Sequence, residues 1–256
     1  MPEIPDLESL LKTGAHFGHQ VSKWHPKMKP FIFGSRNGIH IIDLEQTVVK
    51  LTEALDAARD IVAKGGNIVF IGSKRQAKDI VKKYAIAAEM PYVTERWLGG
   101  TFTNFTEILK RIKRLNDFRA KREKGELDKY TKKERVVIDR DIEDMERKVG
   151  GLSTLTKLPE AVFILDVKHE KTAIAEANEK KVPVFALTDS NVNPDKITYG
   201  IPANDDAIKS IEMMVRLMSE AVSEGMKLRV AKQAEVAKTV AAGVVTNADD
   251  KRVISV

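Results

Sequence analysis

The chain alternates short, continuous apolar runs with longer segments in which apolar residues recur every three or four positions. Runs at residues 67–72, 161–165 and 184–187 predict strands that are buried on both faces. Shorter strands are expected at residues 92–93 and near 197–201, and helical patterns separate all of these runs. Strands that alternate with helices indicate an α/β fold with a parallel sheet between two helical layers.

Capping residues mark where several helices begin and end. Asp6 and Gly14 bracket a short first helix, and Asp43 begins a long second one. The last helix begins at Asn204 or Asp205, either of which has a side chain suited to an N-cap.

The segment of residues 14–30 shows little periodicity and is predicted to be a loop, although it holds three of the five histidines and one of the two tryptophans. The apolar segments that follow it, 31–33 and 39–42, flank Asn37 and Gly38. An Asn-Gly pair favours the positive φ angles of a tight turn, so these segments predict a β-hairpin.

Residues 105–151 interrupt the alternation with two helical patterns and no strand. Each pattern carries a narrow apolar seam, formed by Phe105, Ile108, Ile112 and Leu115 in the first and by Ile138, Ile142, Met145, Val149 and Leu152 in the second. Such seams are typical of a coiled coil, and a capping box at Thr131 and Glu134 opens the second helix. We therefore predict an antiparallel coiled-coil hairpin inserted between residues 1–104 and 152–229 of one α/β/α domain, with a flexible tail at 230–256.

Composition narrows the class of partner. The 256 residues carry a formal net charge of +6, with a pI of about 9.3, which favours an anionic partner such as a nucleic acid or a membrane surface. There is no cysteine, no apolar run long enough to span a membrane and no signal-peptide pattern at the N-terminus. We expect a cytoplasmic protein without disulfides and without a membrane partner.

Carboxylates follow the predicted strands at the edge where open α/β sheets bind ligands. Asp166 and Asp189 each follow an apolar run, and Asp205 lies where the last helix begins. These side chains can serve as caps and turn formers, or they can hold a divalent ion for phosphoryl transfer. If the N-terminal loop folds over this edge, His19 can join Asp189 and Asp205 in a structural site, where an imidazole favours zinc over magnesium. No cofactor is required by any motif.

Catalytic motifs are missing, but several loops combine cations, aromatic rings and glycines. Arg and Lys contact phosphates, and aromatic rings stack on bases, so these loops predict RNA binding. The predicted contacts are Lys23, Trp24, Lys27, Lys29, Arg36, Asn37, Lys74, Arg75, Arg96, Trp97 and Asn104, together with Lys110, Arg111, Lys113 and Arg114 on the first hairpin helix. Each tryptophan can instead fill the core, and the hairpin charges can simply be a solvated surface.

These loops also carry a family resemblance. The segments LLKTGAHFGH, HPKMKPFIFGSRNGIHIIDLEQT, RWLGGTFTNF, PEAVFILDVKHEKTAIAEANEKKVPV and IPANDDAI resemble, in order and spacing, the bacterial-type family of small-subunit ribosomal protein two over about residues 5–228. The resemblance implies a flavodoxin-like domain with a coiled-coil hairpin. It also implies a structural, non-enzymatic role in the small ribosomal subunit and contact with its rRNA.

For partners, the resemblance implies other small-subunit proteins, including the large mRNA-binding one that this family helps to anchor, and no homo-oligomer in the ribosome. Two other interpretations of the chain are a Mg²⁺-dependent phosphoryl-transfer enzyme and an RNA-binding regulator outside the ribosome. The enzyme interpretation is disfavoured because no nucleophile or phosphate loop accompanies the carboxylates.

Overall fold

The computed structural model describes the backbone of residues 2–249 and the side chains of residues 2–127 and 129–232. The helices of this part are α1 (Leu7–Thr13), α2 (Leu44–Ala63), α3 (Lys78–Ala87), α4 (Phe105–Glu123), α5 (Lys132–Val149), α6 (Lys171–Glu179) and α7 (Ile208–Asp249). The strands are β1 (Phe17–Gln20), β2 (Ile32–Arg36), β3 (Ile39–Ile42), β4 (Ile68–Ile71), β5 (Tyr92–Val93), β6 (Ala161–Ile164), β7 (Val184–Thr188) and β8 (Tyr199–Pro202). Short 3₁₀ turns lie at Val21–Lys23, Pro26–Phe31, Glu126–Lys129, Gly150–Leu152 and Pro194–Lys196.

A five-stranded parallel sheet forms the centre of the fold. Its strand order is β5-β4-β6-β7-β8, and every neighbouring pair is parallel. This is the doubly wound order of flavodoxin-like proteins, in which the chain starts near the middle and reverses direction once. The predicted α/β class and the flavodoxin-like topology are confirmed.

Alternate side chains of the sheet enter two separate cores. Phe70, Phe163 and Phe185 pack on one face with the apolar sides of α2, α3 and α7. Val69 and Val162 lie on the other face, with α6 and the start of the helical hairpin. Because all residues of β4, β6 and β7 are buried, these strands show the continuous apolar runs of a sheet covered on both sides.

A small antiparallel sheet, ordered β1-β3-β2, precedes the main one. The predicted hairpin is present, and Asn37 and Gly38 have φ angles of 52° and 73° at its turn. The prediction that residues 14–30 form a loop was wrong for Phe17–Gln20, which forms β1 and pairs with β3. Two 3₁₀ turns follow this strand. A distant contact also holds β1, since the His19 amide donates to Ser190 Oγ at 2.8 Å.

Two packed helices form the insertion. Arg119 bonds Glu146 through Nε and Nη2 at 2.6 and 2.5 Å, and Asn116 reaches the Ser153 carbonyl at 3.5 Å, so α4 and α5 run in opposite directions. The capping box at Thr131 and Glu134 is formed as predicted. Ile108, Ile112, Leu115, Ile142, Val149 and Leu152 of the two seams are buried. Coiled-coil packing in the strict sense, like the domain boundaries, stays a prediction.

The last helix begins at Ile208, after the predicted cap positions Asn204 and Asp205. Asn204 Oδ1 accepts hydrogen bonds from the backbone N–H groups of Asp206 and Ala207 at 2.8 and 3.2 Å. The helix α7 continues to Asp249, well past Arg229, where the amphipathic pattern fades. The flexible tail predicted at 230–256 stays a prediction, and residues 250–256 lie outside the described part.

Candidate nucleic-acid interface

The segment of residues 21–31, here called the N-terminal loop, folds over the carboxyl edge of the main sheet. The His25 amide donates to the Ser190 carbonyl at 2.8 Å, and Lys27 forms an ion pair with Asp195. Met28 is fully buried and fastens the middle of the loop. These contacts fix the loop against the segment that follows β7, so its charges are displayed on a supported backbone.

Cations of the N-terminal loop and the adjoining hairpin face solvent. Lys23, Lys29 and Arg36 are exposed and form no ion pair within the described part of the chain. The ring of Trp24 is half-buried and packs on His40, with ring centroids 5.1 Å apart. Asn37 is exposed at the hairpin turn. Together with Lys27, these residues make six predicted contacts that lie in the N-terminal loop and the adjoining hairpin.

Lys74 lies in a different environment from the one the sequence predicted. Its Nζ lies 3.0 Å from Asp166 Oδ2, 3.0 Å from Asp205 Oδ1 and 2.8 Å from Asp206 Oδ1. Burial disfavours its charge, but the three carboxylates outweigh burial and raise the pKa of Lys74 above its ordinary value. Its charge is thus already engaged, whereas the adjacent Arg75 is exposed and has no ion pair with a described residue.

The carboxylates around Lys74 form an acidic cluster at the carboxyl edge, as their positions after β6 and β7 predicted. Asp205 and Asp189 are each 1% exposed. Burial is the main cause that raises the pKa of Asp205 to about 7; Lys74 opposes this shift and Asp189 adds to it.

His19 joins this acidic cluster from β1. Its Nδ1 lies 3.1 Å from Asp189 Oδ2, and its Nε2 lies 3.5 Å from Asp206 Oδ2. The Asp189 carboxylate is the largest cause that raises the pKa of His19, while burial opposes it. Ligand atoms of His19, Asp205 and Asp206 lie within 4.8 Å of one another. The strand β1 therefore brings His19 close to Asp189 and Asp205, and Asp206 lies beside them.

Trp97 is a core residue in this structure. It is 5% exposed and packs on Phe102 with ring centroids 4.9 Å apart. Its indole N–H donates to Glu176 at 3.4 Å, so the ring would be accessible to a base only if this segment opened. The neighbouring predicted contacts Arg96 and Asn104 are exposed.

The predicted cations of α4 are exposed on the hairpin, away from the N-terminal loop in the chain. Lys110 is paired with Glu107 at 2.6 Å, and Arg114 lies over the Phe118 ring at 5.4 Å. Arg111 and Lys113 have no ion pair among the described residues. The helix α4 therefore carries four predicted cations, as many as the N-terminal loop and its hairpin, but its cations have acidic neighbours.

Sequence reasoning missed a second set of cations at the carboxyl edge. Lys168, Lys171 and Lys196 line a cavity of about 360 Å³ between the segments that follow β6 and β7. Lys168 and Lys171 lie between a predicted strand and a predicted helix. Like Asp166, they could have been assigned to the carboxyl edge of the sheet because they follow a strand.

Comparison with known proteins identifies the family. A family model described as "Ribosomal protein S2" matches residues 10–225. The chain belongs to the ribosomal protein S2 family. A relative from Roseiflexus sp. (strain RS-1) is 46% identical over 91% of this chain and 89% of its own length. One from Chloroherpeton thalassium is 50% identical over 84% of this chain and 86% of its own, and both are named "Small ribosomal subunit protein uS2".

Membership in the ribosomal protein S2 family bears on the enzyme alternative. The family is a structural, non-enzymatic component of the ribosome, so the protein is not an enzyme and the phosphoryl-transfer alternative has no support. Within the described residues, no helix is both long and apolar enough to cross a membrane.

Proposed function

We propose that this protein is a structural constituent of the small ribosomal subunit that binds small-subunit rRNA through the N-terminal loop and its surroundings. The main support is that Lys23, Lys29 and Arg36 are exposed and form no ion pair within the described chain. Hydrogen bonds between Ser190 and the backbone amides of His19 and His25 hold the backbone on either side of Lys23. A supported loop loses little conformational entropy when phosphates bind. The net charge of +6 favours the same partner.

The α4 cations form a second contact in this proposal. Arg111 and Lys113 can reach phosphates from an exposed helix. Arg75, Arg96 and Asn104, which lie between the loop and the hairpin in the sequence, are exposed and can also contact RNA. Trp24 offers a partly exposed ring for base stacking, whereas Trp97 contributes only by shaping its loop.

The proposal includes protein partners. Phe33 and Phe17, on the small sheet, are 82% and 47% exposed, which supports a protein contact on that face. Following the family resemblance, we include other small-subunit proteins, among them the large mRNA-binding one, with a cytoplasmic, ribosome-associated location and no homo-oligomer in the ribosome.

Sedimentation tests the main statement. Full-length protein is mixed with small subunits stripped of their own copy, washed at high salt and pelleted. We expect one copy per subunit after the wash. Recovery of RNA-bound protein only in subunit-free fractions would instead favour an RNA-binding regulator outside the ribosome.

We also propose that the acidic cluster holds a divalent ion through His19, Asp205 and Asp206, and that Asp189 orients His19. Among the described residues, the ammonium of Lys74 pairs with three of its four carboxylates (Asp166, Asp205 and Asp206), and the imidazole of His19 lies beside the fourth, Asp189, and beside Asp206. In addition, Asp189 Oδ2 is buried and accepts no hydrogen bond within the described chain, although it lies 3.1 Å from His19 Nδ1. A carboxylate beside one imidazole nitrogen leaves the other nitrogen directed at a metal, and an imidazole ligand favours zinc over magnesium.

Metal analysis and zinc titration of extensively dialysed full-length protein test this site. We expect one zinc per chain, absent from His19→Ala and retained in His169→Ala, because His169 is exposed and outside the trio. Absence of stoichiometric zinc, or equal binding by both variants, would overturn the metal proposal without affecting the RNA proposal.

A further inference from the structure

A cavity of about 360 Å³ opens at the carboxyl edge of the main sheet, beside the N-terminal loop. Val167 and Val192, which follow β6 and β7, form its apolar walls with Ile174 of α6, and His25 of the N-terminal loop lies at its border. We call this cavity the lysine pocket, after Lys168, Lys171 and Lys196. Its volume is within the range of roughly 300–1,000 Å³ that is usual for small-molecule sites.

The charges of the lysine pocket are uncompensated. Lys168, Lys171 and Lys196 form no ion pair with a described residue, and no carboxylate is among the residues that line the cavity. The nearby Asp195 is engaged by Lys27. The acidic cluster on the same edge consists mainly of carboxylates, so a cation fits the acidic cluster and an anion fits the lysine pocket. Three lysines that line one cavity favour an anion with several acceptor oxygens, such as a phosphate.

The interior of the lysine pocket adds a second requirement. Asn191 Oδ1 is buried and accepts no hydrogen bond within the described chain. Because this oxygen has almost no accessible surface, a ligand N–H group could pair with it only after a rotation of the Asn191 side chain, which lines the cavity. At the border, His25 Nδ1 accepts the Lys27 amide at 3.3 Å, so a neutral His25 carries its proton on Nε2 and can donate.

We propose that the lysine pocket binds a single nucleotide of the partner RNA, with its base between the apolar walls and its phosphate at the three lysines. A base supplies both a flat apolar face and an N–H donor for Asn191, while the phosphate neutralises the ammonium groups. An acidic peptide would satisfy the lysines, but Asp and Glu side chains have no flat apolar face for the cavity walls. This inference rests on the proposed RNA binding and names one site within it.

Two variants of the full-length protein test the phosphate contact and the base contact separately. In the first, Lys168, Lys171 and Lys196 are replaced by Gln, which removes the ammonium groups that would bind the phosphate. In the second, Ala175→Phe fills the cavity without changing any charge, because Ala175 lines it and is otherwise exposed. The matched control replaces Lys64, Lys180 and Lys181 by Gln, since these exposed lysines lie at the opposite edge, before β4 and β7.

Affinity for small-subunit rRNA is measured as a function of salt. We expect the first variant to lower the salt slope by about one unit for each phosphate that is no longer bound, and Ala175→Phe to weaken binding about tenfold with little change in slope. The control should bind like the wild type. Saturation with a mononucleotide should compete with the RNA, whereas an equal charge concentration of oligoglutamate should not.

Each remaining outcome contradicts a defined part. If the wild type binds no rRNA, the proposed function fails. If the wild type binds and the lysine variant behaves like the control, only the pocket inference fails. Normal binding by Ala175→Phe would exclude a base in the cavity, and displacement by oligoglutamate would indicate an acidic protein as its partner. If the protein binds a mononucleotide but every variant keeps the rRNA affinity of the wild type, the ligand is a free nucleotide and the inference is overturned.

Discussion

Glu176 of α6 accepts the indole N–H of Trp97 at 3.4 Å, across 79 residues of sequence. The same carboxylate accepts the backbone N–H groups of Gly100, Phe102 and Thr103 at 2.7, 2.9 and 3.3 Å. Glu176 is only 7% exposed, so these donors satisfy a buried charge. One side chain therefore fixes the segment that leads from the sheet into the helical hairpin.

Replacing Glu176 by Ala should destabilise the protein by roughly 3 kcal/mol, because it leaves four donors without their acceptor. Glu176→Gln should cost less, since its amide keeps one acceptor oxygen. Chemical denaturation followed by tryptophan fluorescence measures both, and Glu179→Ala, at an exposed position of the same helix, is the control. A Glu176→Ala variant as stable as the control would show that the carboxylate does not hold the segment.

The hairpin should depend on its buried seam. Ile142 is 3% exposed, whereas Val137 on the same helix is 52% exposed. Ile142→Asp places an unpaired charge in the interface and should lower the free energy of unfolding by about 3 kcal/mol, with a decrease in helicity. Circular dichroism of the full-length variants during thermal melting measures this effect. Equal melting curves for Ile142→Asp and Val137→Asp would contradict the seam.

The sequence is sufficient to predict the main sheet, because each of its buried strands is an apolar run bounded by turns. It also predicts the capping of α1, α2 and α5, since caps are local interactions between residues only a few positions apart. The strand β1 could not be predicted in this way. Its residues Phe17–Gln20 do not alternate in polarity, and Ser190, 171 residues away, supplies one of its hydrogen bonds.

In the candidate site, too, local features could be predicted from the sequence and contacts between distant segments could not. The position of Asp166 and Asp189 after strands follows from the sequence, but their sharing of Lys74 and His19 depends on how the loops meet. The burial of Trp97 depends on Glu176 in a helix on the far side of the insertion. Pairwise contacts between distant segments decide which charges are free to bind a ligand, and no local pattern contains them.

Lys74 should be required for stability, since it contacts three carboxylates, of which Asp205 is 1% exposed and Asp166 6%. Lys74→Met leaves these charges unpaired and should cost about 3–5 kcal/mol. Adding Asp205→Asn removes one of them and should restore part of the stability. Urea denaturation of the two variants and of Arg75→Met, the exposed neighbour, measures the effect. No recovery in the double variant would indicate that Lys74 contributes through packing rather than charge.

The loop and hairpin cations can be ranked by RNA affinity. One variant replaces Lys23, Lys27, Lys29 and Arg36 by Gln, and the other replaces Lys110, Arg111, Lys113 and Arg114. The sets are matched, because four charges are removed in each and each contains one lysine with an acidic partner.

We expect the loop variant to bind small-subunit rRNA more weakly than the hairpin variant and to show the flatter salt dependence. Lys23, Lys27 and Lys29 lie on a backbone fixed by Ser190 and Met28, so little entropy is lost on binding. On the hairpin, Lys110 is paired with Glu107 and Arg114 lies over the Phe118 ring, so these two cations must leave their contacts to bind a phosphate. Each phosphate interaction that is removed should lower the salt slope by about one unit. Measurements at several salt concentrations distinguish the removal of phosphate interactions from misfolding, which would reduce affinity without this graded change. Weaker binding by the hairpin variant would make α4 the principal RNA contact and would contradict the assignment of the N-terminal loop.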